Sequence, residues 1–356
     1  MDFFKVNTFR KILPFINQKP FNPSAWLRWR LVIQLGFMVL CIWIGWEFTT
    51  FVQRLRNDLP AMINNRPPGV EGFLPISSLM ELWLWIKSGI VVKIHPAGVI
   101  ILSFAIGTAI LIRRSFCSWL CPIGTLSESL WRFGEKIGLN WKLYRRLDIP
   151  LRSLKYILLL LFIYVIFGMS SKGLVDFISG DYNRVSDIKM MDFFISPSQL
   201  TISIIGVLTL LSFVLKNFWC RYLCPYGALL GIFSRFSPMA IRRNRDTCID
   251  CNKCNKACPS YLPVAISLNI KSLECLACQQ CTAVCPVKDC LKFSTPRNKL
   301  TLKPISYGVV FLLLFLGSVG IARFFDYWKT TTSVEQLRTL SKQSTHLSHP
   351  RNISGY

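Results

Sequence analysis

The sequence has little charge, few acidic residues and almost no histidine. Charged residues make up 17% of its 356 residues, and 18 Asp and Glu stand against 42 Lys and Arg. Soluble domains carry about a quarter of charged residues, so this composition argues against an ordinary soluble protein. The three histidines are His95, His346 and His349, and no C-x-x-C-H run occurs. A haem is therefore not expected, since its usual histidine ligands and attachment run are missing.

What the sequence has in abundance is apolar runs. A helix that spans a membrane needs about 20 mostly apolar residues. Five segments meet or approach this length, and we expect each of them to span the bilayer: residues 31–52, 96–112, 151–170, 199–215 and 304–324. The apolar segment 82–92 is shorter and contains Lys87, so we expect an interfacial or re-entrant piece there.

Lys and Arg are unevenly distributed among the loops. Residues 1–30, 113–155 and 216–303 hold 6, 9 and 14 of them, whereas 53–95 and 171–198 hold 5 and 3. The positive-inside rule then predicts that the N-terminus is inside and the C-terminus outside. This asymmetry accounts for the net charge of +24 without a nucleic-acid partner, which is not expected. No cleavage site precedes the first run, so we expect the first helix to remain as an anchor.

Two short stretches of the sequence are near copies of each other. "FCSWLCPIG" at 116–124 returns as "WCRYLCPYG" at 219–227, and each contains the pattern C-x3-C-P. Each copy follows a predicted span, which indicates two parallel two-helix repeats. We expect the four thiols to converge at one membrane boundary, and they are Cys117, Cys121, Cys220 and Cys224.

The chemistry of these four thiols stays open between three interpretations. They could hold a third metal or iron–sulfur site, because four thiolates make a complete ligand shell. They could form a redox-active thiol/disulfide pair. They could also be small apolar residues in structural turns. The proline after each second cysteine disfavours helix at the residue before it, so a helix should end or break at Cys121 and Cys224.

The strongest motif in the sequence occurs twice after the fourth apolar run. "CIDCNKCNKACP" at 248–259 and "CLACQQCTAVCP" at 275–286 both fit C-x2-C-x2-C-x3-C-P, the two-cluster ferredoxin run, in which the fourth cysteine ligates the other cluster. Zinc sites show paired C-x2-C units or Cys/His mixtures instead. One [4Fe–4S] cluster would take Cys248, Cys251, Cys254 and Cys285. The other would take Cys275, Cys278, Cys281 and Cys258.

The predicted fold is an all-α polytopic membrane bundle with an inserted α+β ferredoxin-type domain for two [4Fe–4S] clusters. About five transmembrane helices form the bundle, four of them in the two repeats. The predicted boundaries are an N-terminal segment 1–30, repeats 31–138 and 139–241, the ferredoxin domain 242–296, a final helix 297–328 and a polar exported tail 329–356.

Several single residues are weaker candidates. His95 lies on the outer side at the start of a span, where it could accept a proton from a quinol or simply begin the helix. Acidic residues on the same side are similar candidates, namely Glu71, Asp187 and Asp192. Glu47 is expected to be an interfacial carboxylate. We expect Cys41 to pack between helices and Cys290 to be a core thiol of the ferredoxin domain.

The chain resembles the membrane polyferredoxins of the NapH/NosR type, and among them most closely the YccM-like electron-transport proteins. The stretches that carry the resemblance are "RPPGVEGFLPISSLMELW", "SFCSWLCPIGTLSE", "LDIPLRSLKY", "DIKMMDFF" and "FWCRYLCPYGAL". The resemblance implies a carrier in the bacterial inner membrane that exchanges electrons with quinone and with another redox protein. It also implies a cytoplasmic N-terminus and ferredoxin domain, with a periplasmic C-terminus.

The chain departs from the NosR pattern because it has no long flavin-binding segment at its N-terminus, so FMN is not expected. Two other functions compete with the carrier. The clusters could report redox or iron state in a sensor or assembly factor, or the C-x3-C-P thiols could serve a copper reductase. A carrier needs quinol-dependent reduction of its clusters, which distinguishes it from a sensor.

Overall fold

The computed structural model describes residues 23–60, 66–139, 141, 143–302, 304–344 and 346–347. The chain is mostly helical within these ranges. Residues 1–22 of the predicted N-terminal segment, and His349, lie outside the described residues.

The helices that precede the ferredoxin domain are, in chain order, α1 (Pro23–Arg56), α2 (Pro75–Ser88), α3 (Pro96–Ile112), α4 (Ser115–Trp119), α5 (Pro122–Lys136), α6 (Arg145–Gly168), α7 (Ser171–Ser179), α8 (Asp181–Arg184), α9 (Ser186–Ile195), α10 (Gln199–Val214) and α11 (Pro225–Phe233). The ferredoxin domain contains β1 (Ala240–Arg243), α12 (Lys253–Ala257), β2 (Asn269–Ile270), α13 (Gln280–Ala283) and β3 (Leu291–Ser294). It is followed by α14 (Pro304–Phe324) and α15 (Val334–Gln343).

Each of the five apolar segments forms a helix, but the helices differ in length. Helices α1, α6 and α14 are long and apolar enough to cross a membrane. Helices α9 and α10 qualify only together, with a bend of 79° between them. Helix α3 has 17 residues, which at 1.5 Å per residue gives about 25 Å against a hydrocarbon core of about 30 Å. The described residues thus provide three spans by length and composition, or four with the bent pair.

The long apolar helices present most of their side chains outward. Only 17% of the most apolar window of α1 and of α6 is buried, and 22% of that of α14. Continuous apolar surface of this extent is not compatible with water and is normally covered by lipid. The chain is therefore a membrane protein.

Residues 82–88 of the predicted interfacial segment 82–92 form the second half of α2. Pro75 begins this helix at a position where its missing N–H costs nothing, and Gly89 ends it in the left-handed conformation with φ of 70°. Residues 89–93 then have no regular secondary structure before α3.

The chain folds as two compact units, and the first comprises residues 23–37 of the described chain with 105–155 and 212–313. Its ferredoxin domain has a three-stranded antiparallel sheet in the order β2-β1-β3. Ile241 at the centre pairs with Ile270 on one side and Phe293 on the other. All three side chains are buried. Phe293 also contacts the ring of Tyr307 on α14, 5.4 Å between centroids, which packs the sheet against that helix.

The two cysteine runs adopt the same backbone conformation. Asp250 and Asn252 flank the second cysteine of the first run with positive φ, and Ala277 and Gln279 do so 27 residues later. The third cysteine of each run then lies on a short helix, α12 or α13. The sequence repeat is thus also a repeat of structure.

The second unit comprises residues 38–104, 156–211 and the described part of 314–356. One of its apolar cores groups Phe48, Val52 and Ile188 with Leu337 of α15. Ser333 begins α15 with a capping box, in which its hydroxyl accepts from the Gln336 N–H. The predicted polar tail therefore contains a short helix that packs into this core.

Candidate functional site

The first cavity of the ferredoxin domain is lined by four cysteines, Cys248, Cys251, Cys254 and Cys285. Its empty volume is about 360 Å³. The first three thiols come from one run and the fourth from the other run, as in two-cluster ferredoxins. Four soft thiol groups around one small cavity fit the ligand shell of a [4Fe–4S] cluster.

A fifth thiol borders the same cavity. Cys290 is buried and also lines the first cavity. Its thiol donates to the carbonyl oxygen of Asn244 at 3.7 Å, and its closeness to Cys285 lowers the pKa of that thiol. Cys290 is therefore in the core of the domain, as expected, and it also contacts one of the four cysteines. The spacing in the sequence gave no indication of this contact.

The second cavity repeats the arrangement with Cys258, Cys275, Cys278 and Cys281, and its empty volume is about 370 Å³. These four side chains are all buried, whereas Cys251 of the first cavity is exposed. The first cavity thus lies next to solvent and the second lies inside the unit. Both cavities offer four thiols in the combination that the two runs predict.

The C-x3-C-P turns have matching backbones in the two repeats. Cys121 and Cys224 both precede a helix in an extended conformation, with ψ of 117° and 105°. The prediction that a helix breaks at each second cysteine is therefore confirmed. Cys117 lies on α4, while Cys220 lies on a π-helical turn, Trp219–Leu223. Gly124 packs so tightly against the first turn that a Cβ atom there would overlap the carbonyl oxygen of Cys117.

The four thiols of these turns lie close together in the first unit. Burial raises the pKa of Cys220, and the neighbouring Cys224, Cys121 and Cys117 raise it further. Because the other three thiols all act electrostatically on Cys220, the two turns must lie next to each other. In the described part of the chain, however, no three His, Cys, Asp or Glu side chains surround a single metal ion.

Buried cations join the turns to the second cysteine run. The Arg114 guanidinium is 1% exposed and donates to the carbonyl oxygen of Leu273 at 2.9 Å. It also occupies the space beside Gly227, where a Cβ atom would lie 2.9 Å from Nη2. Lys155 is likewise buried and pairs with Glu274 at 2.6 Å, next to Cys275 in sequence. These residues place fixed positive charge between the C-x3-C-P turns and the second cavity.

Two further hydrogen bonds hold the loop that contains Leu273, residues 272–276. Arg113 donates to the carbonyl oxygen of Ser272 at 2.6 Å. The Ser118 hydroxyl donates to the carbonyl oxygen of Leu276 at 2.7 Å. Together with Arg114, these donors hold the backbone of residues 272–276.

A second buried network surrounds Glu128 on α5. Arg30 donates to both of its carboxylate oxygens, and Gln34 and Gln280 also donate to it. Burial raises the pKa of Glu128, but the Arg30 guanidinium outweighs burial and holds it at about 2. Gln280 directly precedes Cys281, so the network reaches the second cavity. Its members lie far apart in sequence, and sequence reasoning missed them.

The second unit has a polar cluster of its own around His95. The imidazole is fully buried, with Nδ1 2.9 Å from Arg66 Nη2 and Nε2 2.8 Å from the carbonyl oxygen of Asn183. Arginine can only donate and a carbonyl can only accept, so the ring is neutral with its proton on Nε2. Burial and then the Arg66 charge lower the pKa of His95 to about 3. In this arrangement the ring has a structural role at the start of α3 and offers no free nitrogen to a proton.

Acidic residues complete this cluster. Arg66 pairs with Asp187 at 2.8 Å and with Glu71 at 3.4 Å. Glu81 on α2 accepts a hydrogen bond from the backbone N–H of His95 at 3.0 Å. Asp192 lies elsewhere and pairs with Arg56 at 2.7 Å. Of the outer-side candidates, the structure thus brings together His95, Glu71 and Asp187, while Arg66 and Glu81 were missed.

Comparison with known proteins agrees with the cysteine patterns. A family profile described as a 4Fe-4S binding domain matches residues 94–140 and again 198–244, which contain the two C-x3-C-P turns. A profile described as a 4Fe-4S dicluster domain matches residues 240–287. No solved structure matches the chain significantly.

Similar curated proteins are electron-transport and ferredoxin-type proteins. YccM of Escherichia coli K12, a proposed electron transport protein, is 38% identical over 327 residues, which cover 90% of this chain and 92% of that protein. MauN of Paracoccus denitrificans, a methylamine utilization ferredoxin-type protein, is 32% identical over 41% of this chain and 48% of its own. The ferredoxin-type protein NapH of Haemophilus influenzae is 28% identical over 56% of this chain and 67% of its own.

Proposed function

The chain belongs to the family of the electron transport protein YccM, and from that premise we propose that it relays electrons between the quinone pool and another redox protein. Two [4Fe–4S] clusters would carry the electrons through the ferredoxin domain. The observation that carries this proposal is the pair of cavities, each lined by four cysteines drawn from both runs.

The proposed ligands follow from the two cavities. Cys248, Cys251, Cys254 and Cys285 would hold the first cluster. Cys275, Cys278, Cys281 and Cys258 would hold the second. When bound, such clusters supply one-electron chemistry at potentials that charge and hydrogen bonds adjust. Around the second site the chain itself provides buried Arg30 and Lys155, whose positive charge would favour an added electron.

The two sites differ in exposure, which suggests the order in which electrons pass through the two clusters. Cys251 is exposed, and Lys253 and Lys256 beside it are also exposed. A redox protein with an acidic surface could approach this side, and opposite charges would speed the encounter. We therefore propose that the partner exchanges electrons with the first cluster, and that the buried second cluster communicates with the membrane part.

The proposal includes a third redox site at the C-x3-C-P turns. Its support is the proximity of the four thiols and the 4Fe-4S binding profile that covers both turns. A third cluster held by Cys117, Cys121, Cys220 and Cys224 remains the leading interpretation, and the alternatives are a thiol/disulfide pair and purely structural turns. Either a cluster or a thiol/disulfide pair would suit a relay between quinone and the second cluster.

The proposed topology has five spans in the bacterial inner membrane. In it, α3 and the bent pair α9–α10 each count as one span, in addition to the three long helices. The loop charges support a cytoplasmic N-terminus and ferredoxin domain and a periplasmic C-terminus. The predicted boundaries of the repeats, the ferredoxin domain and the tail belong to this proposal. Reporter fusions after residues 60, 140, 180, 296 and 345 test each loop.

The decisive measurement is iron and acid-labile sulfide per chain in anaerobically purified protein, with EPR of the reduced form. About eight irons support two clusters, and about twelve support three. A Cys121→Ser variant should lose about four irons if the third cluster exists, whereas Cys41→Ser should lose none. A colourless chain without iron would refute the proposal. Reduction of the clusters by a quinol separates a carrier from a sensor, which need not turn over.

A further inference from the structure

The buried cluster of the second unit contains more acid than base. Arg66 is its cation, and its carboxyl groups are Glu71, Glu81 and Asp187, all at most 5% exposed. His95 is neutral because of the partners of its two ring nitrogens. If all three carboxyl groups were ionised, the cluster would carry two uncompensated negative charges. A buried charge without a partner is so costly that the group normally takes up a proton instead.

Two of the three carboxylates lie next to the Arg66 cation. Asp187 Oδ2 is 2.8 Å from Arg66 Nε, without the alignment of a hydrogen bond, and its Oδ1 accepts the N–H of Ile188 at 2.9 Å. Burial raises the pKa of Asp187, and the Arg66 charge opposes that change. Glu71 pairs with Arg66 and also accepts the backbone N–H groups of Ala97 at 2.8 Å and Gly98 at 3.4 Å. These N–H groups are at the N-terminus of α3, where the helix dipole favours negative charge.

Glu81 lacks comparable support. Its Oε1 atom accepts one hydrogen bond, from the N–H of His95, and no cation in the described chain pairs with it. Among the described residues its buried Oε2 atom has no hydrogen-bond partner, and the same holds for Ser77 Oγ, one helical turn earlier on α2. The charged groups that act on Glu81 from the neighbouring elements are Glu71, which disfavours its ionisation, and Arg66, which favours it.

We propose that the carboxyl group of Glu81 is a proton-binding site that takes up and releases one proton near neutral pH, with the proton on Oε2. Burial raises the pKa of Glu81 to about 8, in agreement with this geometry. Burial also raises the pKa of Glu71, to about 7, but its backbone and Arg66 contacts oppose that change.

The site also gives the proposed function a proton acceptor, and this extension rests on that function. Oxidation of a quinol releases two electrons and two protons. One quinol O–H bond would break as the O–H bond of ionised Glu81 forms, the second quinol proton would pass to water, and the two electrons would pass one at a time to the two clusters. His95 cannot take this proton without losing its bond from Arg66.

The experiment is infrared difference spectroscopy of the full-length protein between pH 6 and pH 9. A carboxylic-acid C=O band should disappear as the pH rises, with its midpoint between 7 and 9, and should be absent in Glu81→Gln. The exposed Glu335→Gln variant is the matched control and should keep the band. A band that persists in Glu81→Gln and is lost in Glu71→Gln would overturn the proposal, as would the absence of any such band.

A second measurement covers the case in which Glu81→Gln does not fold. Uniform ¹³C labelling of glutamate should shift the band in the wild-type chain, in Glu71→Gln and in Glu47→Gln. This leaves Glu81 as its source, because Glu128, Glu135 and Glu274 are ion-paired and Glu335 is exposed. A band that fails to shift would assign the proton to an aspartate and refute the proposal. Iron content is independent of this result, so failure of the proton site and failure of the electron relay are distinguishable.

Discussion

Arg30 and Glu128 lie 98 residues apart in sequence and form a bidentate ion pair, with Nη1 2.9 Å from Oε1. The Arg30 side chain is 2% exposed and that of Glu128 is 12% exposed. The same carboxylate accepts from Gln280, the residue before Cys281. The pair therefore connects α1 and α5 to the second cysteine run.

Breaking this pair should destabilise the first unit. Glu128→Gln keeps the shape of the side chain but leaves the Arg30 guanidinium buried without its counter-charge, which costs about 3–5 kcal/mol. Thermal unfolding in detergent should show the loss, and the iron content should fall because the second cavity loses its support. The Arg132→Ala variant removes a more exposed partner of Glu128 and should cost less than about 1 kcal/mol. Equal losses in both variants would contradict the assigned role.

The Cys290 thiol lies beside Cys285, and a hydrogen bond from it to the ligating Cys285 sulfur should adjust the potential of the first cluster. Donors to cluster sulfurs raise the reduction potential, so Cys290→Ala should lower it. If the bond contributes ~1 kcal/mol, the change is about 40 mV, since a tenfold change in equilibrium, ~1.4 kcal/mol, equals 59 mV for one electron. A redox titration followed by EPR measures it. Cys41→Ala is the control, and an unchanged potential in Cys290→Ala would show that the bond does not reach the cluster.

The pH dependence of stability should reveal the raised pKa of Glu81. The pKa in the folded chain is about 8 against an ordinary value of 4.5, so between these values the folded state holds more protons than the unfolded state. Stability should therefore fall as the pH rises through this window, by at most ~1.4 kcal/mol per pH unit for one group. Glu81→Gln is neutral throughout and should give a flatter profile of Tm against pH. A profile as steep as that of the wild type would contradict the expectation.

The close approach at the first C-x3-C-P turn requires glycine. In Gly124→Ala the new Cβ atom would overlap the carbonyl oxygen of Cys117, which is backbone and cannot rotate away. We expect a lower Tm and faster labelling of Cys117 and Cys121 by thiol reagents. Gly36→Ala is the matched control, because a Cβ atom there meets open space. If the two variants behave alike, the turn tolerates more movement than its geometry indicates.

The sequence predicted those features that depend on local spacing. The two cysteine runs indicated the grouping of Cys258 with Cys275 and of Cys285 with Cys248, because the fixed intervals and the prolines determine which thiols can share a cavity. The helix breaks at Cys121 and Cys224 followed from the prolines for the same local reason. The apolar runs located the five helices, although the short α3 and the bend before α10 depend on packing that no hydropathy pattern records.

Features that depend on distant contacts could not be predicted in this way. Lys155 lies within an apolar run and Arg30 lies just before one. Their partners Glu274 and Glu128 are 119 and 98 residues away in sequence. His95 was a proton-acceptor candidate because of its ordinary pKa, and only its two hydrogen-bond partners show that it is held neutral. The sequence pattern did not indicate Glu81 as a candidate, because a carboxylate in a short helix is normally solvated.

The backbone of residues 272–276 is held by side chains of Arg113, Arg114 and Ser118. Soluble ferredoxins diffuse between their donors and acceptors, and this domain does not have that freedom. Its two cavities remain at a constant separation from the C-x3-C-P turns, so tunnelling distances would be the same in every turnover. On the proposed function, exchange of redox partners would occur by collision near the exposed Cys251, and the number of ferredoxin domains would always equal the number of membrane anchors.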